Sequence, residues 1–300
     1  MQVLRTPDKY FEELTDFPYQ PNYIEVNDLR MHYLDKGEGE IVLCMHGEPS
    51  WSYLYRKFIP VLSPHFRVIA PDLIGFGRSD KLPRMQNYSF EMHFEQVCGF
   101  IEKMDLTGIT LVVQDWGGLL GLSALGKMPE RFARVVVMNT FLPIGDRKMP
   151  KAFTAWKTFA KTMPGLPIGT VMRMGTYQKL TSEAKKGYQA PFPSNKYKAG
   201  AKIFPELVPM KETDAGVPEM KIARKVLSEW QKPAFVLFSD KDPIMSGAAK
   251  FFRKLIPSSA DQPETIIKDA GHFLQEDKGE EIASEIKKFI ERTQLITMDN

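Results

Sequence analysis

The sequence predicts an α/β protein built on a mainly parallel sheet that is interrupted by a helical insertion, and three observations carry that reading. Short, β-branched apolar runs recur along the chain, each followed by a glycine-containing loop or a helical stretch. One of them, Ile109 to Leu122 (ITLVVQDWGGLLGL), passes from a buried strand through a glycine-tightened turn directly into a helix. From about Pro143 to Pro218 the strand-like runs stop, and prolines, glycines and aromatic residues become frequent.

In chain order, an irregular, proline-containing start leads to Tyr23–Val26 and Leu29–Tyr33, which read as a hairpin turning at Asn27-Asp28. Gly37 and Gly39 turn the chain again. Ile41–Met45 is a central strand by its continuous apolar, β-branched content, and it ends in His46-Gly47-Glu48-Pro49. Arg67–Ala70 is the next strand, followed by a long loop from Pro71 to Pro83 that holds Asp72. Tyr88 to Met104 has the period of an amphipathic helix, and Val135–Asn139 follows the Ile109–Leu122 unit as another buried strand.

After the insertion, Ala234–Ser239 restores a strand ending in Asp240-Lys241-Asp242-Pro243, and Thr265–Ile267 gives one more, ending in Asp269-Ala270-Gly271-His272-Phe273. A closing helix runs from about Gly279 to Arg292, with Ile282, Ile286 and Phe289 on one face. This rhythm divides the chain into a two-piece core, residues 1–142 and 219–300, and a helical cap, residues 143–218. The cap's many aromatics, among them Phe153, Trp156, Phe159 and Phe204, are expected chiefly as its own core.

Composition excludes several classes. The 300 residues are 43% apolar, enough for a substantial core, and a net charge of +3 with interspersed signs points to neither nucleic acid nor membrane as partner. Lys185, Lys186, Lys196, Lys198 and Lys202 are expected on a solvated face. The amino-terminal MQVLRTPDKYFEEL lacks the apolar segment of a signal peptide and no run is long enough to span a bilayer, so a cytoplasmic location is expected. Cys44 and Cys98 sit among apolar neighbours and are expected as buried free thiols; neither a metal site nor a cofactor is implied.

The chemistry enters at Asp115. A strand, a sharp turn and a helix are the frame of a nucleophile elbow, which commonly carries G-x-S-x-G; here the pentapeptide is Val113-Gln114-Asp115-Trp116-Gly117. A serine that attacked saturated carbon would end as an ether that water does not readily cleave. A carboxylate gives an ester, which activated water can hydrolyse by adding to the aspartyl carbonyl. An elbow aspartate therefore predicts displacement at alkyl carbon, although read alone Asp115 is simply a helix N-cap.

Two further side chains change that balance. Asp115, Asp242 and His272 each follow a strand, where open α/β sheets place their sites, and they stand in the chain order nucleophile, acid, histidine. Asp240 competes with Asp242 as the acid; the Lys-Asp-Pro context favours Asp242 and leaves Asp240 as a turn former. The backbone N–H groups of Glu48 and Trp116 are candidates for an oxyanion hole, and His46 is expected to brace its loop.

At these residues the sequence resembles the haloalkane dehalogenases, especially the subfamily whose acid follows the later strand. The matching pieces span nearly the whole chain: HGEPSWSYLYR from His46, APDLIGFGRSDK from Ala70, QDWGG from Gln114, FTAW from Phe153, APFP from Ala190 and GHFLQED from Gly271. Leu82 is a departure, standing before Pro83 where many members run Lys-Pro. The resemblance implies an α/β-hydrolase fold with a cap and a reaction through a covalent alkyl-aspartyl intermediate. It also implies a pair of indole N–H donors, Trp116 and Trp156, that hold the departing halide. Some relatives carry their acid at the position of Asn139, where an amide supplies no charge. Trp51 is expected beside the loop and Trp230 in the core.

The partners so implied are a small apolar haloalkane, water and the halide product, acting on a monomer or weak oligomer, with Phe153 in a dry pocket wall. An epoxide hydrolase is the nearest rival, since it shares the elbow aspartate and uses tyrosine donors, for which Tyr177, Tyr188 and Tyr197 are available. A fluoroacetate-type dehalogenase would want arginine where Trp116 stands. An idle α/β-hydrolase scaffold used for binding is the third alternative.

Overall fold

Asn27 and Asp28 both adopt positive φ, 47° and 62°, in a two-residue turn whose twist matches that of the strands it joins. It folds Asn22–Val26 (β1) back on Leu29–Lys36 (β2), opening one edge of the sheet in the computed structural model, which describes residues 2–146, 150–163, 165–245 and 247–294. The remaining strands are Ile41–Met45 (β3), Arg67–Pro71 (β4), Ile109–Gln114 (β5), Phe132–Met138 (β6), Ala234–Ser239 (β7) and Thr265–Ile267 (β8). Among the described residues they form one sheet in the order β1-β2-β4-β3-β5-β6-β7-β8. β2 pairs antiparallel with both β1 and β4, and every later pairing is parallel.

The register fixes where a site can form. Met45 pairs with Val113, and Gln114 with Met138, so β3, β5 and β6 end side by side and release their loops at one edge. β5 and β6 are buried along their whole length, as expected of parallel strands covered on both faces. Ile59–Leu62 (α1) packs with Leu274–Arg292 (α10), while Phe90–Lys103 (α2), Trp116–Lys127 (α3), Val217–Ser228 (α8) and Ala248–Leu255 (α9) pack against one another in sequence. Between β6 and α8 come Lys151–Thr162 (α4), Ile168–Gly175 (α5), Ser182–Gln189 (α6) and Ala199–Leu207 (α7), with α4 against α7 and α5 against α6. Among the described residues no helix is long and apolar enough to cross a membrane.

Four differences from the sequence reading have physical causes. β2 runs on to Lys36 because its polar residues Asp35 and Lys36 still pair with Ile69 and Val68. β6 begins at Phe132 rather than Val135; Arg134 hides the apolar run, yet it is fully buried, held by Glu40, Thr110 and the Thr293 carbonyl. The same strand stops at Met138, since Asn139 takes φ 22° and leaves the ladder. The amphipathic helix starts at Phe90 because the Ser89 hydroxyl accepts the Met92 N–H at 3.1 Å. Regular helix resumes at Gly279 after a break at Lys278, so α10 contains the expected 279–292 segment.

Lys198 corrects the reading of the lysines as a solvated face. Its side chain is buried, and the ammonium donates to the carbonyls of Gly165 and Leu166. Lys185, Lys186 and Lys196 are exposed, and Lys202 is half-buried. Cys44 and Cys98 are buried and free.

Candidate active site

β5 delivers Asp115 at the point where the chain reverses into α3. Its φ of 50° and ψ of −126° are costly for a residue with a side chain, by about 1–3 kcal/mol, and must be held by the surroundings. They are. The Asp115 N–H donates to the Asn139 carbonyl at 3.0 Å, and the Thr140 hydroxyl donates to the Asp115 carbonyl at 2.7 Å. Two glycines permit the close approach: a Cβ on Gly117 would run into the Met45 carbonyl, and one on Gly47 would run into the Asp115 side chain. Although Asp115 occupies the N-cap position, its carboxylate makes no capping hydrogen bond. It points instead into a cavity, where it sits by the positive end of α3.

Around that carboxylate three loops converge. Asp115 Oδ1 accepts the Glu48 N–H at 2.7 Å, and Oδ2 lies 3.5 Å from His272 Nε2. His272 Nδ1 is 2.7 Å from Asp242 Oδ2, while Asp242 Oδ1 accepts the amides of Ile244 and Met245 at 2.8 and 3.2 Å. Asp240 is turned away, paired with Lys241 at 3.0 Å. Burial alone would push the His272 imidazole down. The Asp242 charge, hydrogen bonds to Asp115 and Asp242 and the Asp115 charge outweigh it and raise the group to about 10. Burial likewise opposes ionisation of Asp242, but the His272 charge, their hydrogen bond and the two amides hold its carboxyl below the usual range.

The supports beneath His272 are amides. Asn139 Nδ2 donates to the carbonyls of Gly271 and His272 and to the Ser239 hydroxyl, and Gln114 Nε2 donates to the His272 carbonyl at 3.2 Å. His46 braces the other side: its Nε2 accepts the Leu73 N–H at 3.0 Å, which leaves the proton on Nδ1 to donate to the Gly47 carbonyl. Both ring nitrogens are thus occupied in holding the loop that presents the Glu48 amide.

A cavity of about 720 Å³ opens over this cluster, lined by Asp115, Trp116, His272 and Glu48 from the sheet side and by Phe153, Trp156, Phe159 and Val171 from the inserted helices. Its walls are chiefly apolar, as small-molecule sites are. The four tryptophans divide by environment. Trp51 donates its indole N–H to the Gly187 carbonyl at 3.0 Å, and Trp230 is buried away from the cavity. Trp116 and Trp156 both line the cavity, and neither indole N–H has a protein acceptor among the described residues. The Trp116 backbone N–H, first in α3, has no carbonyl one turn back in its helix to bond. Of the tyrosines, Tyr188 donates its hydroxyl to Glu276 at 2.6 Å, and Tyr177 lines the cavity.

Three contributions escape sequence reasoning. Gln114 was visible only as a polar residue ending an apolar strand. The Glu48 side chain is buried at the cavity with Oε1 unpartnered, and burial together with the Asp115 charge raises its carboxyl well above the usual range. Asp277, the last residue of GHFLQED, accepts three backbone N–H groups, that of Gly271 at the start of the same stretch and those of Tyr177 and Gln178 in the insertion.

An elbow with its residue at positive φ, an acid and a histidine from later strands, and this sheet order define an α/β hydrolase, and residues 40–279 match the family model for the alpha/beta hydrolase fold. A haloalkane dehalogenase of Mycolicibacterium paratuberculosis is 46% identical over 95% of this chain and 97% of its own length. Another, of Psychrobacter cryohalolentis, is 44% identical over 97% and 98%. The solved tetrameric haloalkane dehalogenase of Paraglaciecola agarilytica superimposes with a TM-score of 0.89 at 39% identity, covering 95% of this chain and 97% of that one. The chain belongs to the haloalkane dehalogenases, hydrolases that act on carbon–halide bonds. Neither the epoxide hydrolase nor the idle scaffold is favoured by these relatives.

Proposed function

We propose that this chain converts small apolar haloalkanes to alcohol and halide in two steps through an ester on Asp115. In the first, Asp115 Oδ2 attacks the carbon bearing the halogen, the new C–O bond forms as the C–X bond breaks, and the halide leaves with the bonding electrons. The indole N–H groups of Trp116 and Trp156 stabilise the growing charge in a site from which water is excluded. In the second, water adds to the aspartyl Cγ as His272 Nε2 takes its proton, and Asp242 stabilises the resulting imidazolium. The oxyanion so formed is held by the backbone N–H groups of Glu48 and Trp116, and its collapse releases the alcohol, which carries a proton away.

The observation that carries this reading is the division of labour between the two Asp115 oxygens. Oδ1 is already against the Glu48 amide, so after alkylation at Oδ2 the ester carbonyl oxygen starts in the anion site. Charge supports the same order of events. His272 is raised partly by Asp115, and esterification removes that carboxylate charge, which lowers the imidazole and favours its neutral, proton-accepting form for the second step.

Residues 143–218 act in this proposal as the cap, with Phe153 and its neighbours excluding water. α8 starts at Val217 and lies along α3, where Gly126 meets the Ala223 backbone, so the working boundary falls just ahead of that helix. The Paraglaciecola relative is tetrameric, which makes a tetramer a state to test, by sedimentation velocity, beside the monomer or weak oligomer expected from sequence.

The deciding experiment is a single turnover of a simple bromoalkane in ¹⁸O-labelled water. Label should enter the Asp115 carboxylate, located by peptide mass. All label in the alcohol, with none in the protein, would remove the covalent intermediate.

A further inference from the structure

The loop that carries His272 is held on its sheet side by Asn139 and Gln114, and on its other side by the Asp277 carboxylate together with a bond from Phe273 to Gly175. Asp277 Oδ2 accepts the N–H of Gly271 at 2.8 Å and that of Tyr177 at 2.9 Å, while Oδ1 accepts the N–H of Gln178 at 2.7 Å. Gly271 immediately precedes His272; Tyr177 and Gln178 lie in the inserted segment just after α5. The same two segments meet again where the Phe273 N–H donates to the Gly175 carbonyl at 3.0 Å. They touch so closely that a Cβ on Gly271 would meet the Gly175 carbonyl, and one on Gly175 would meet the Phe273 ring.

His272 therefore sits between two residues whose amides are fixed, directly or through Asp277, to the inserted helices. Three N–H donors converging on one anion are charge-assisted bonds that a neutral side chain cannot reproduce. Among the described residues Asp277 is not one of those lining the cavity, and its carboxylate bonds to neither Asp115, Asp242 nor the His272 ring.

We propose that Asp277 is a positioning residue for His272, locking the histidine loop to the segment 175–178 so that the imidazole is held in place for ester hydrolysis. This rests on the two-step reading above, in which His272 acts only in the second step. The consequence is selective: loosening the lock should spare halide release and slow hydrolysis of the ester, because a catalytic group misplaced by a fraction of an ångström loses much of its effect.

The test is rapid-quench turnover of 1-bromobutane by Asp277→Ala and Asp277→Asn, with intact-protein mass read in parallel. Asp277→Ala should keep a bromide burst at close to the parent rate, lose about tenfold to a hundredfold in steady-state turnover and accumulate butyl-enzyme. Asp277→Asn can still accept from Gly271 and Tyr177 but presents an amide toward Gln178, so it should fall between the two. Burst amplitude counts correctly folded sites, so poor folding lowers the amplitude without changing the ratio of the two rates. If Asp277→Ala does not fold, Asp277→Asn carries the comparison alone. An unchanged ratio of burst to steady-state rate, in whichever variants fold, would overturn the proposal. His272→Gln run alongside separates the premises: a missing burst there removes the two-step reading itself.

Discussion

The loops at the sheet edge and the inserted helices above them build the same cavity by different means. At the sheet edge the groups around the elbow are held by hydrogen bonds: Asp115, Asp242, His272, Asn139 and His46 are joined at 2.7–3.2 Å to groups in the loops that leave the strand ends. The insertion contributes apolar walls and is tied to the rest of the chain at scattered polar points, among them Tyr188 on Glu276, Trp51 on Gly187, Thr6 on Pro191, Arg224 on Asp146, Phe273 on Gly175 and the Asp277 lock. Parallel strands leave no slack in backbone position, so chemistry that tolerates little misplacement belongs on them. A wall that only has to fit a substrate and exclude water can be held by packing and a handful of bonds.

Predictions that probe this contrast are ordered by expected size. Asp115→Asn leaves the elbow's hydrogen-bonded backbone intact but replaces the nucleophile by an amide, and halide release should fall by at least about 10⁴-fold. Halide measured by rapid quench checks this, and residual release near the parent rate would place the nucleophile elsewhere. His272→Gln should lose steady-state turnover yet give one equivalent of halide and a trapped alkyl-enzyme visible by mass, because the first step needs no base.

On the cap side the effects should be smaller. Trp156→Phe keeps most of the packing and deletes one N–H donor, which should cost about 1.5–3 kcal/mol, roughly ten- to a hundredfold, in halide binding and bromoalkane turnover. Halide affinity from tryptophan fluorescence quenching that stays unchanged would return Trp156 to a packing role. Glu276→Gln breaks the ion pair with Arg56 at 2.6 Å inside the protein, and urea unfolding should report a loss of about 3 kcal/mol with chemistry per folded site little altered.

The smallest effect is a titration. His272 is raised to about 10, so its contribution to stability is complete below the ordinary histidine range and fades as pH rises through about 10. In Asp115→Asn the Asp115 hydrogen bond and charge no longer support the imidazolium, and the midpoint should move down. Histidine NMR across this range checks both statements.

How much of this was legible beforehand differs between the two regions for the same reason. Strand, turn and chain order are local properties, so ITLVVQDWGGLLGL, the Asp-Lys-Asp-Pro loop and the Gly-His loop announced Asp115, Asp242 and His272 as residues that end strands. What a linear pattern lacks is the partner across space. That Arg134 belongs inside β6 because Glu40 and Thr293 neutralise and bond it, and that Lys198 is buried on two carbonyls, are both decided by contacts between distant segments. Asp277 is the sharpest case. Within GHFLQED it is one acidic residue in a helix's first turn, and only the arrival of Gly271, Tyr177 and Gln178 at its two oxygens turns it into a clasp, since hydrogen bonds depend on distance in space and not on distance along the chain.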